Sequence, residues 1–134
     1  MILLDTHILV RYAAGDRKLG KRAVAAIEKS LRAGALYVSA ISFWEIAMLA
    51  LKGKLRLGAT LTAFRERTLA QGIQELAVDG DVGIRGAELL LMHADPADRL
   101  IVATAVASGA TLVTNDTKLL ELKLGGYRAH DGTA

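Results

Sequence analysis

An α/β protein built on a parallel sheet is what this sequence predicts, and three observations predict it. Short runs of aliphatic residues, such as Ile2-Leu3-Leu4 and Leu112-Val113, lack the polar alternation of a half-exposed strand and suit a sheet covered on both faces. Segments of helical periodicity separate these runs, the pattern of parallel strands joined by crossover helices. Two of the runs also end abruptly at acids, Asp5 after Leu4 and Asp116 just beyond Thr114, which is where parallel sheets place their functional edge.

In chain order, Ile2–Leu4 is a short buried strand and "THILVRYAAG" a helix. "KRAVAAIEKSLRAG" is an amphipathic helix with Val24, Ile27 and Leu31 on one stripe and Gly34 as its stop. "ALYVSAI" returns to strand. "SFWEIAMLALKG" predicts a helix from Ser42 that ends at Gly53, and "LTAFRERTLAQG" another that ends at Gly72. "IQELAV" reads as a strand, followed by a helix that begins between Asp79 and Asp81 and runs on through "AELLLMH". Pro96 opens a helix over "ADRLIVATAVASG", "TLVT" is a strand, "DTKLLEL" a brief helical turn, and "GYRAH" a last edge strand. Without a repeat, linker or low-complexity tract, residues 1–134 are expected to form one domain.

Composition narrows the chemistry. The 134 residues include no cysteine, which excludes disulfides, thiolate zinc sites and cysteine nucleophiles and suits a reducing cytoplasm. The opening apolar run is too short for a secretory signal, and the longest weakly polar stretch, residues 100–113, is broken by Thr, Ser and Gly and falls short of a bilayer span. A soluble, cytoplasmic protein without membrane contact is the expectation. Hydrophobic residues make up 52% and mean hydropathy is +0.32, high for so small a soluble chain, so apolar surface is expected to meet a second subunit.

The net charge of +3 hides an uneven division. Residues 1–67 carry 12 Lys and Arg against 5 Asp and Glu, residues 68–134 only 5 against 9. "RKLGKR" (Arg17, Lys18, Lys21, Arg22) and "KGKLR" (Lys52, Lys54, Arg56) hold much of the excess. Such clusters are either solvated faces or a rim that attracts a polyanion such as RNA, and charge alone does not choose between them.

The acids are the candidates for chemistry. Asp5 and Asp116 end strands at one edge, Glu45 lies early in the helix that follows another strand, and Asp98 lies in the first turn of the Pro96 helix. Each has a purely structural explanation. Ser42 and Glu45 have the spacing of a capping box; Asp95, Pro96 and Asp98 suit N-cap, N1 and N3; Asp5-Thr6 and Asn115-Asp116 can cap or turn. Their conjunction points elsewhere, because crowded carboxylates repel one another and a cation removes that cost. An all-oxygen set of Asp5, Glu45, Asp98 and Asp116 suits Mg²⁺ or Mn²⁺, ions that keep waters, bridge to phosphate and hydrolyse phosphodiesters through an activated water.

"MILLDTHILV", "VSAISFWEIAMLALKGKL" and "HADPADRLIVATAVASGATLVTNDTKL", in that order over nearly the whole chain, resemble the PIN-domain ribonucleases, most closely the VapC-type toxins of bacterial toxin–antitoxin pairs. The resemblance implies a PIN-like three-layer α/β/α fold with a central parallel sheet of four to five strands. It implies a Mg²⁺- or Mn²⁺-dependent endoribonuclease that leaves 3′-hydroxyl and 5′-phosphate ends, a homodimer, and inhibition by a cognate VapB-like antitoxin. By position it assigns Asp5, Glu45, Asp98 and Asp116 to metal and catalysis, with Asp116 at the family's most variable position. Thr6 is then the hydroxyl neighbour of Asp5, Asp95 an outer helix-start residue, and Thr114 and Asn115 holders of water around the metal. The family often has an aromatic where this chain has Ala97. For RNA contact the candidates are Arg11, Lys52, Lys54 and Arg99, although an internal salt bridge is the plainer duty for Arg99. Phe43 and Trp44 offer rings to stack on a base, against core or dimer packing. His7, His93 and His130 are scattered and are read as surface or partly packed residues.

The rival readings differ in class. A non-catalytic Mg²⁺-binding module of receiver type needs paired acids in an early loop and a lysine after a late strand. An aspartyl phosphatase needs a D-x-D-x-T signature, whereas Asp5 is followed by Thr6, His7, Ile8 and Leu9. There is no G-x-x-x-x-G-K-[ST] loop, and the glycines of "GDVGIRG" have the wrong spacing for a dinucleotide fingerprint.

Overall fold

The computed structural model describes all 134 residues. Strand β1 (Ile2–Leu4) leads into helices α1 (Thr6–Ala14) and α2 (Lys21–Arg32). Then come β2 (Leu36–Ser39), α3 (Ala40–Leu51), α4 (Leu61–Ala70), β3 (Gln74–Leu76) and α5 (Gly80–Glu88). The chain finishes with α6 (Pro96–Ser108), β4 (Thr111–Thr114), α7 (Thr117–Glu121) and β5 (Arg128–Asp131). The five strands form one sheet in the order β3-β2-β1-β4-β5, parallel throughout, with Ile2 paired to both Leu36 and Thr111.

Helices cover both faces, giving the expected three-layer α/β/α architecture. Strand side chains alternate in direction, so β1 serves two cores. Ile2 and Leu4 join a cluster with Ile8, Leu9, Ile27, Val38 and Ile46; Leu3 joins another with Ile101, Val102, Leu112 and Leu119. This is why the opening run has no polar alternation: each residue meets apolar side chains, and burying one such residue is worth ~1.5–3 kcal/mol.

Two helix boundaries depart from the sequence expectation. α3 begins at Ala40, not Ser42, because Ser39 is its N-cap and its hydroxyl accepts the Ile41 N–H at 3.3 Å. The Ser42–Glu45 capping box is therefore absent, and Ser42 is a buried residue inside the helix. α5 stops at Glu88 instead of continuing through "LLLMH". Leu90 and Leu91 are 60% and 97% exposed, so no apolar contact rewards another helical turn there. Before that stop α5 lies close on α6: a Cβ at Gly86 would come 2.9 Å from Leu100 Cδ2. Gly34, the predicted stop of α2, takes the left-handed conformation with φ +68°.

No helix is long and apolar enough to cross a membrane. Trp44, Leu51, Ile84, Leu90, Leu91 and Met92 expose apolar surface, and the clustered bases Arg17, Lys18, Lys21, Arg22, Lys52, Lys54 and Arg56 are all exposed.

The topology decides where a site can form. All strands point the same way, so their carboxyl ends share one edge. The strand order reverses between β1 and β4, the switch point at which open α/β sheets form a crevice.

Candidate metal centre

Asp5 stands directly after β1 at that switch point, tied across to β4 by its N–H to the Val113 carbonyl at 3.0 Å. It is 5% exposed. Its Oδ1 accepts the Thr6 N–H at 2.8 Å, capping α1, and its Oδ2 accepts the Thr114 hydroxyl at 2.6 Å. Burial raises its pKa, and these two hydrogen bonds oppose the rise. The strand can thus end in a buried acid because both oxygens are partnered, while lone pairs remain on each.

Glu45 arrives from the second turn of α3. The buried Thr6 hydroxyl sits 2.5 Å from Glu45 Oε1 and 2.9 Å from Ser42 Oγ. A hydroxyl has one hydrogen to give, and the carboxylate is the stronger acceptor. The Thr6 hydroxyl therefore orients Glu45, while its backbone N–H holds Asp5. Burial is the main cause of the raised Glu45 pKa, with the charges of Asp5 and Asp95 adding to it.

Asp98 comes from the first turn of α6, which opens as expected: Asp95 is the N-cap, its Oδ1 accepting from Ala97 and Asp98 N–H groups, and Pro96 begins the helix. The Asp98 side chain takes no part in the cap. Burial, then the charges of Asp5, Asp95, Glu45 and Asp116, push its pKa up to about 8. Asp116 follows β4, caps α7 by accepting the Lys118 N–H at 2.8 Å, and donates its own N–H to Thr114 Oγ1.

Four acids separated by up to 111 positions therefore meet at one edge and act electrostatically on one another. An open cleft of about 890 Å³ is lined by Asp95, Asp98 and Asp116, but by neither Asp5 nor Glu45. Carboxylates crowded in this way, one of them holding its proton to about pH 8, repel one another, a cost that a divalent cation would relieve, and an all-oxygen donor set would suit hard ions such as Mg²⁺ and Mn²⁺.

Several expected duties are different in the structure. Thr114 donates its hydroxyl to Asp5 and accepts the Asp116 N–H, so it fastens β4 to the end of β1. Arg99 enters no ion pair; its Nη1 donates to the His93 and Ala94 carbonyls at 2.9 and 3.0 Å and steadies the turn before α6. Lys52 and Lys54 are exposed beyond the far end of α3, about 10 Å along the helix axis from Glu45 at ~1.5 Å per residue. Arg11 is half-buried in the last turn of α1, Asn115 half-buried beside Asp116, and Trp44 is 55% exposed one residue before Glu45.

One residue at the cleft was passed over in the sequence. His93, Asp98 and Asp116 each offer an atom such that the three lie within 4.8 Å of one another. The available signal was the proximity of His93 to Asp95 in "HADPADR", which puts the ring on the turn that delivers Asp98.

Comparison with known proteins agrees with this architecture. The PIN domain family model matches residues 2–124. Ribonuclease VapC22 of Mycobacterium tuberculosis (strain ATCC 25618 / H37Rv) is 34% identical over 119 residues, 88% of each chain. Among solved structures, DNA-bound VapBC from Salmonella typhimurium aligns with TM-score 0.69 at 20% identity over 97% of this chain and 96% of that one. FitAcB from Neisseria gonorrhoeae aligns with TM-score 0.57 at 29% identity over 88% and 89%. A family model spanning almost the whole chain, a VapC relative at this identity and the five-stranded parallel sheet with acids at its switch point lead to one conclusion: this chain belongs to the PIN-domain family and, within it, to the VapC-type proteins.

Proposed function

We propose that this protein is a Mg²⁺- or Mn²⁺-dependent endoribonuclease toxin of the cytoplasm that acts as a homodimer and is held inactive by a cognate VapB-like antitoxin. The observation that carries this reading is the convergence of Asp5, Glu45, Asp98 and Asp116 at an open cleft, with mutual repulsion and no lysine or arginine ion-paired to any of them. The ribonuclease named among its relatives and the toxin–antitoxin complex from Klebsiella pneumoniae among its structural neighbours support the substrate class and the partner.

In this reading Asp5, Glu45, Asp98 and Asp116 would hold the ion, which when bound would supply a nucleophilic water and stabilise charge on the phosphodiester oxygens. Asp5 is pinned by the Thr6 N–H and the Thr114 hydroxyl, so its free lone pairs keep one direction. Thr6 does the same for Glu45. Asp98, kept protonated to about pH 8 by burial and its neighbours, would bind the ion as the carboxylate with its proton lost to solvent, and Asp116 has an oxygen not engaged by the Lys118 N–H. No side-chain nucleophile is required.

The receiver-like alternative gains no support from the topology. Receiver sheets run in the order 2-1-3-4-5, whereas this one runs 3-2-1-4-5. The test is incubation of the pure protein with total RNA in Mg²⁺, with and without EDTA, followed by mapping of cut ends. Wild type is expected to cut and EDTA to stop it. Asp5→Asn and Asp98→Asn are each expected to lower cleavage by 10²-fold or more, a loss on the order of that caused by removing one charge-stabilising group from an active site. Wild-type cleavage by either variant, or undiminished cutting in EDTA, sinks the assignment.

A further inference from the structure

His93 is the polar side chain that the site encloses and the mechanism above leaves without a role. It lies on the turn between α5 and α6, and its side chain is 10% exposed. Nε2 is buried without a hydrogen-bond partner and stands 3.6 Å from Asp98 Oδ2. An unpaired buried nitrogen costs ~1–3 kcal/mol, so its placement needs a reason. Either the ring ligates the cation or it holds Asp98.

The other ring nitrogen separates these two. Nδ1 accepts the Asp95 backbone N–H at 3.2 Å. A nitrogen that accepts carries no hydrogen, so in the uncharged ring the hydrogen is on Nε2, which then has no lone pair for a cation. The main chain behind the ring is fixed as well, because Arg99 grips the carbonyls of His93 and Ala94. Of the acids Asp5, Glu45 and Asp98, the last is the one whose side chain accepts no hydrogen bond: Asp5 accepts two and Glu45 one, whereas the nearest donor to Asp98 is this ring.

We propose that His93 is a positioning residue for Asp98: its Nε2–H takes Oδ2 and leaves Oδ1 directed at the cation. The inference rests on the metal-dependent reading above. At 3.6 Å the contact is longer than a hydrogen bond, and contacts of this kind in ion-free sites draw in when the working complex assembles.

The test is Mn²⁺ binding to the full chain, read by the EPR signal of the free ion, for wild type, His93→Ala and His93→Gln, with melts in EDTA to check folding. Loss of an outer partner of a metal ligand typically weakens binding by 10–100-fold, so His93→Ala is expected to bind about tenfold more weakly or worse, and His93→Gln, whose amide N–H replaces Nε2–H, to stay within about threefold of wild type. Pulsed EPR of wild-type bound Mn²⁺ is expected to show no coupling to a directly bound imidazole nitrogen, a readout that does not depend on any variant folding. Such a coupling, or unchanged affinity in His93→Ala, or no rescue by His93→Gln, overturns the proposal. Wild type that neither binds Mn²⁺ nor cuts RNA brings down both readings. Wild type that does both, with His93 variants binding equally well, brings down this one alone.

Discussion

Asp98 is where one side chain controls a bulk property of the molecule. In the unfolded chain its carboxyl ionises near 3.8, whereas in the folded protein burial and four neighbouring acids hold the proton to about pH 8. Between those values the unfolded state carries fewer protons, so folding stability falls as pH rises through that window and levels off above it. Asp5 and Glu45, also raised, act in the same direction. In EDTA, Asp98→Asn is therefore expected to be more stable than wild type by a margin that widens from pH 5 to pH 8, and added Mg²⁺ at pH 8 to raise the wild-type midpoint by mass action. Denaturant midpoints at the two pH values measure it; a constant margin rules the argument out. Capping and metal chemistry are not exclusive here. Asp5 and Asp116 cap helices with one oxygen and keep lone pairs for an ion, which is why capping patterns in the sequence did not distinguish the two.

At the scale of elements, each acid is delivered by a strand end or a helix start, and the start of α3 shows how that aim is set. Ser39 caps the helix, which turns Ser42 inward towards Thr6 and sets Glu45 beside that hydroxyl. A helix beginning at Ser42 would have spent the Glu45 carboxylate on its own N-terminus. Ser39→Ala is expected to cost about 1 kcal/mol, the usual value of an N-cap, and to lower cleavage as Glu45 loses its register. Urea melts and RNA cleavage of the same variant check both; a variant as stable as wild type would remove Ser39 from the role. The period of "SFWEIAMLALKG" showed that a helix exists, but two serines three residues apart offer equivalent caps, and only the length of β2 selects between them. The early end of α5 was likewise illegible, since "LLLM" has helical composition and lacks only a surface to bury against.

For the whole molecule, the uneven charge becomes a prediction about RNA. The clustered bases of the first half are exposed and none lines the cleft, so they are expected to act on RNA through charge rather than chemistry. RNA affinity is expected to fall linearly on a log–log plot against salt, by about 0.7 per phosphate neutralised for single strands, and Lys52→Ala to lower that slope by roughly one contact. Binding titrations at several salt concentrations measure it, and a slope indifferent to Lys52 removes that residue from the interface. The sequence by itself determined the α/β class, a parallel sheet of four to five strands and most helix limits, and it singled out the four acids as candidates. Apolar periodicity and cap chemistry are local and readable along the chain, whereas strand order is not, since the same alternation also builds a 2-1-3-4-5 sheet. Only the tertiary structure decided which polar atoms meet. The Thr6–Glu45 contact spans 39 residues and the Thr114–Asp5 contact 109, and neither these nor the approach of His93 to Asp98 across a turn has a local signature, because each depends on how separate elements pack around one sheet edge.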